Sequence, residues 1–105
     1  MLRGYIPDGK PIHLGHCVLY DPIYASRFDR SRLVGLVLRH APLDGAAGDF
    51  CEMRIFFDQH YVSGTARVYP LRSEYPLTVT GQIPCPRCGR SGWIRDGAWV
   101  PARRL

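Results

Sequence analysis

The chain has 105 residues, with 11 Gly, 9 Pro and a formal net charge of +5. That length accommodates one domain, 1–105, and so many backbone breakers exclude a bundle of long helices. Six Tyr, four Phe and two Trp supply apolar area that a disordered chain lacks, and no apolar run approaches the roughly 18 residues of a membrane span.

From the N-terminus, Pro7, Gly9, Pro11 and Gly15 make residues 1–15 read as an irregular arm. The opening Met1-Leu2-Arg3-Gly4-Tyr5-Ile6-Pro7 lacks the apolar stretch of a signal peptide, which predicts a cytoplasmic protein. His16 to Tyr20 has strand character. Asp21-Pro22 reads as a helix start, a capping Asp followed by Pro at the first helical position. Tyr24 and Phe28 would then share a face of a short helix ending near Ser31. Leu33-Val34-Gly35-Leu36-Val37-Leu38 is an apolar run of buried-strand length, and residues 41–49, with Pro42, Gly45 and Gly48, read as a loop.

Residues 50–58 alternate. Cys51, Met53, Ile55 and Phe57 fall on one face, and Glu52, Arg54, Phe56 and Asp58 on the other, as in a half-buried strand. Cys51 therefore reads as a small core residue. A further strand is expected within Tyr61 to Tyr69, after a turn at Asp58-Gln59 or Ser63-Gly64, and another at Leu77-Thr78-Val79-Thr80. Asp96-Gly97 between Trp93-Ile94-Arg95 and Ala98-Trp99-Val100 is a strong two-residue hairpin signal, since both turn positions need φ > 0. The sum is an α+β domain, mostly β: five to seven short antiparallel strands with at most one short helix.

Charge and cysteine are concentrated near the end. Residues 1–81 carry nine basic and eight acidic groups, whereas residues 82–105 carry Arg87, Arg90, Arg95, Arg103 and Arg104 against Asp96 alone. Of the four cysteines, Cys85 and Cys88 are three apart in Pro84-Cys85-Pro86-Arg87-Cys88-Gly89. Two thiolates at that spacing can chelate one ion from a tight turn, and Gly after the second supplies the left-handed backbone the turn needs. A redox dithiol would need a helix starting at the first Cys, which Pro86, Gly89 and Gly92 oppose.

This segment and the hairpin after it, residues 83–100, resemble one knuckle of a zinc ribbon. The resemblance implies zinc, held in part by Cys85 and Cys88. A full ribbon has a second CxxC, which this chain lacks. His13-Leu14-Gly15-His16-Cys17 offers the best completion: Cys17 with His13 or His16 would finish a Cys3His tetrahedron and tie the N-terminal arm to the C-terminal hairpin. His40 and His60 have no recognisable local partner, although either could in principle pair with Cys51 as a nucleophilic dyad.

No paired carboxylates and no phosphate loop are present, so the chain reads as a non-enzyme. In the hairpin, Ile94 and Trp99 are expected inward, leaving Trp93 and Arg95 outward beside Arg90. An exposed Trp flanked by Arg suits base stacking with phosphate contact. The reading is a small basic binding protein, zinc-stabilised and associated with nucleic acid or a nucleic-acid-processing complex. Its partner-binding residues are Arg87, Arg90, Trp93, Arg95, Arg103 and Arg104. The alternative is a compact protein-binding inhibitor or adaptor, such as an anti-CRISPR-like inhibitor of a host defence complex encoded by a phage or mobile element, with aromatic hot spots.

Overall fold

A computed structural model describes residues 5–7, 9–40, 51–62, 67–85 and 89–102. Among these residues the architecture is antiparallel β almost throughout. β1 (Ile12–Gly15), β2 (Val18–Ser26), β3 (Asp29–His40) and β4 (Cys51–Phe56) form a four-stranded sheet in sequential order. β5 (Leu71–Glu74) and β6 (Leu77–Val79) form a two-stranded ribbon. β7 (Ile83–Pro84), β8 (Ser91–Arg95) and β9 (Ala98–Pro101) form a third small sheet. A single 3-10 turn, Gln59–Tyr61, is capped by the Asp58 carboxylate, which accepts from the His60 backbone N–H.

The helix expected from Asp21 is absent. β2 runs straight through Asp21-Pro22 and turns at Arg27-Phe28 into β3. Long-range pairing overrides the local capping signal here, because β2 completes its ladder against the apolar run of β3: Tyr20 pairs with Leu38, Pro22 with Leu36 and Ile23 with Gly35. Pro22 lies on the stretch of β2 that β1 does not cover, so the missing N–H costs no bond on that edge. The N-terminal segment is also less irregular than its Gly and Pro content suggests. It contributes β1, and Tyr5 makes a two-bond bridge to Tyr24.

The strand expected within residues 61–69 is not formed by the described residues there. The chain turns at Asp58, and Tyr69 returns to donate its N–H to the Phe56 carbonyl at 2.9 Å. The loop expected at 41–49 lies outside the described residues.

Period-2 alternation sorts the large sheet into two faces. Leu36 and Leu38 of β3 and Ile55 of β4 face the main core, which also holds Leu14, Val18, Tyr69, Leu77, Val79, Ile83, Ile94 and Trp99. Met53 and Phe57 are half-buried against it, so the alternating face expected of residues 51–57 is one wall of this core. Between Tyr24 and Ile23 the β3 partner jumps from Leu33 to Gly35, a bulge at Val34. Ile23, Val34 and Val37 form a smaller cluster on the opposite face, with Ile6, Phe56 and Tyr61 against it. The large sheet therefore packs one face on the layer made by the two small sheets.

The opposite face also carries a short charge ladder. Arg39 donates to the buried Asp21 carboxylate on β2 and, at 3.2 Å, to Glu52 on β4. The C-terminal hairpin has the register expected from Asp96-Gly97: Arg95 pairs with Ala98, Ile94 with Trp99 and Trp93 with Val100. Asp96 and Gly97 have φ of 51° and 78°. Ile94 and Trp99 are buried, as alternation predicts. Gly92 admits the Trp99 ring: a Cβ there would lie 2.6 Å from the indole and 2.5 Å from the Val100 carbonyl oxygen.

Candidate metal centre and basic face

His40 ends β3 and Cys51 begins β4, and the two are direct cross-strand partners. His40 is two residues beyond Leu38, and Cys51 is four before Ile55, so alternation puts both on the core-facing side of the sheet. Directly opposed residues in an antiparallel pair have Cβ atoms about 4.5–5.5 Å apart. The imidazole and thiol are thus neighbours pointing toward the second layer.

That layer supplies Cys85. β7 anchors Ile83 in the core, fully buried, and the same alternation brings Cys85 to the same side. Backbone bonds tie Cys85 to the residues that precede β8: Cys85 N–H donates to the Arg90 carbonyl at 2.7 Å, and Gly89 N–H to the Cys85 carbonyl at 2.9 Å. Gly89 has φ of 78°, the left-handed conformation that the glycine was expected to supply.

The result is a group of one imidazole and two thiols, His40, Cys51 and Cys85, whose ligand atoms all lie within 4.8 Å of one another. The three residues are 4%, 1% and 4% exposed. Ligands about 2.0–2.3 Å from a tetrahedral ion are roughly 3.3–3.8 Å apart, so small side-chain movements bring this set to bonding distance. The group could hold a metal ion. It joins β3 and β4 of the large sheet to the small C-terminal sheet.

Cys85 belongs to the expected ligand set, whereas His40 and Cys51 do not. His13, His16 and Cys17 are exposed, and no group of three ligand atoms among the described residues includes them. The reason is again alternation: Leu14 points into the core, which turns its neighbour His13 outward. His16 and Cys17 form the two-residue turn between β1 and β2, with φ of 52° and 62°. Cys88 lies outside the described residues.

His40 and Cys51 are the members that the sequence does not select for the metal site. The sequence favours a core role for Cys51, which is buried as expected, and puts metal ligation or a dyad with His40 behind it. The signal that could have found both is the extension of two alternating patterns toward residues 41–50. A hairpin joining them puts the last inward residue of one strand opposite the first inward residue of the next.

Of the basic residues near the C-terminus, Arg90 is half-buried and its guanidinium donates to the His16 carbonyl, fastening the β1–β2 turn to the segment before β8. Arg95 is exposed, with its guanidinium carbon 5.0 Å from the Trp93 ring centre, and Trp93 is half-buried. Arg87, Arg103 and Arg104 lie outside the described residues. No helix of the described residues is long and apolar enough to cross a membrane. Comparison with protein-family models, curated proteins and solved structures finds no match, so any functional reading rests on these residues.

Proposed function

We propose that the chain is a small, non-catalytic binding module, stabilised by zinc and associated with nucleic acid. The observation that carries the metal half is the buried convergence of His40, Cys51 and Cys85 from both layers of the fold. Two thiols and an imidazole are a soft donor set that suits zinc better than calcium or magnesium. Cys88, three residues beyond Cys85 in the sequence, is the natural fourth ligand by spacing, completing a Cys3His set of zinc-knuckle type. Burial of all three described ligands favours a closed structural site over a catalytic one, which keeps a position open to water and substrate.

The nucleic-acid half draws on charge. The last 24 residues carry five of the 14 basic groups and a single acid, and Arg95 is presented beside an aromatic ring. Phosphate binding by such a surface weakens linearly in log–log form as salt rises. The test is binding of a labelled oligonucleotide by the metal-loaded protein across a salt series. The reading expects steep loss of affinity with salt. Its failure is no binding at low salt, or binding indifferent to salt.

A second reading, a compact protein-binding inhibitor or adaptor, has one observation in its favour. Phe28 and Tyr75 are 93% and 96% exposed at the tips of two different hairpins. Exposed aromatics of this kind serve as anchors in protein interfaces. Alanine at both positions abolishing capture of one protein partner, with oligonucleotide binding absent, would favour this reading over the first.

A further inference from the structure

The β5–β6 ribbon and the C-terminal hairpin meet along an open concavity of about 610 Å³. Its walls include Arg72 from β5, Thr78 from β6, Thr80 just beyond, and Trp93, Arg95 and Asp96 from the C-terminal hairpin. The floor is tied down at several points. Gly97 N–H donates to the Leu77 carbonyl at 2.8 Å, and Asp96 N–H to the Thr78 hydroxyl at 3.1 Å, which itself donates to the Pro76 carbonyl at 3.3 Å. The two hairpins are thus stitched end to end, and the concavity is built on strands and tight turns.

Trp93 and Arg95 alternate with Gly92 and Ile94, which are buried, so both side chains stand on the face of β8 away from the main core. The Arg95 guanidinium sits over the Trp93 ring, and the second cation, Arg72, enters from the opposite hairpin. Two arginines and one indole lining a recess of this size match one or two unstacked nucleotides. The ring is a sequence-tolerant stacking surface once a base displaces the Arg95 guanidinium from it, and the two arginines supply charge for the phosphates. Thr80, exposed just beyond β6, adds a short polar side chain for sugar or base edges. Asp96 is the single acid lining the recess.

Resting on the nucleic-acid reading above, we propose that this recess is a stacking site for single-stranded nucleic acid, with a base against Trp93 and phosphates against Arg72 and Arg95. A duplex keeps its bases stacked inside and cannot offer one to the indole. Inorganic phosphate would engage the arginines without the ring. Single-strand preference and participation of Trp93 are therefore the properties that define the site.

The experiment titrates the full-length, metal-loaded protein with a fluorescein-labelled oligothymidylate of about 12 nucleotides, and with the corresponding duplex, following anisotropy and tryptophan emission at low salt. Expected are tighter binding of the single strand than of the duplex and quenching of tryptophan emission. Trp93→Leu should weaken binding about tenfold or more, Trp93→Phe should retain most of it, and Arg72→Ala with Arg95→Ala should weaken it further. Inorganic phosphate at equal concentration should leave the emission unchanged. Both arginines have their side chains at the surface, so a folded double variant is available even if Trp93→Leu does not fold. Oligonucleotide binding that is undiminished by the arginine pair or by a folded Trp93→Leu variant, or equal for duplex and single strand without quenching, overturns the stacking site and leaves the broader reading standing. No binding of either oligonucleotide at low salt overturns both.

Discussion

Single residues in this fold are constrained by what lies across the strand from them. Gly92 is the clearest case, because the Trp99 indole occupies the space a Cβ would take. Gly92→Ala should therefore lower stability by about 1–3 kcal/mol, as for overpacked cores, readable in a urea titration. A neutral effect would mean that Trp99 does not lie over Gly92. Arg39 is a different kind of constraint, a cation between the buried Asp21 and the exposed Glu52. Removing it strands a buried carboxylate, so Arg39→Ala should cost about 1–3 kcal/mol. Glu52→Ala should cost under about 1 kcal/mol, since that pair is at the surface. Equal costs would contradict the burial assigned to Asp21. Neither Gly92's contact nor Arg39's pairing could be read before strand pairing was known, because each depends on a register rather than on a residue type.

At the scale of elements, the patterns that were legible are those in which local chemistry and global pairing agree. Asp96-Gly97 adopts two positive φ angles, and the hairpin around it has the register that the sequence implies. The alternation of Cys51, Met53, Ile55 and Phe57 likewise predicts their shared face. Asp21-Pro22 misleads because a capping Asp and a first-turn Pro are local signals, whereas Asp21 is engaged with Arg39 across the sheet. β5 and β7 were too short and too polar or Pro-adjacent to register as strands.

The β1–β2 turn runs against local preference, with His16 and Cys17 at positions that favour Asn-Gly. The double substitution His16→Asn with Cys17→Gly should raise stability, by about 1–2 kcal/mol, and leave metal content unchanged. Loss of metal in that variant would restore the N-terminal cluster as a ligand source.

For the whole molecule, the question is what joins the layers. The main core spans the large sheet and both small sheets, but a domain of this length buries a modest fraction of its surface. A metal ion held by His40, Cys51 and Cys85 would clip the two layers at one end of that core. Chelation should then lower the midpoint of thermal unfolding by many degrees and make it dependent on added zinc, since a ligand that binds only the folded state stabilises by mass action.

The candidate metal centre was half legible. Cys85 and its glycine-closed turn stand out in the sequence by spacing. His40 and Cys51 come from separate strands, 11 positions apart in the chain, and acquire meaning only as a cross-strand pair. The exposed His13, His16 and Cys17 looked better because they are adjacent, yet adjacency in a strand and turn sends side chains to different sides.

The most direct measurement is zinc content per chain, by elemental analysis of protein purified without added metal, for the native chain and two sets of variants. The account predicts about one zinc per chain in the native protein. It predicts loss in His40→Ala and in Cys51→Ser, and full retention in Cys17→Ser and in His13→Ala. Zinc retained by His40→Ala and Cys51→Ser, or lost from Cys17→Ser, would contradict the buried site.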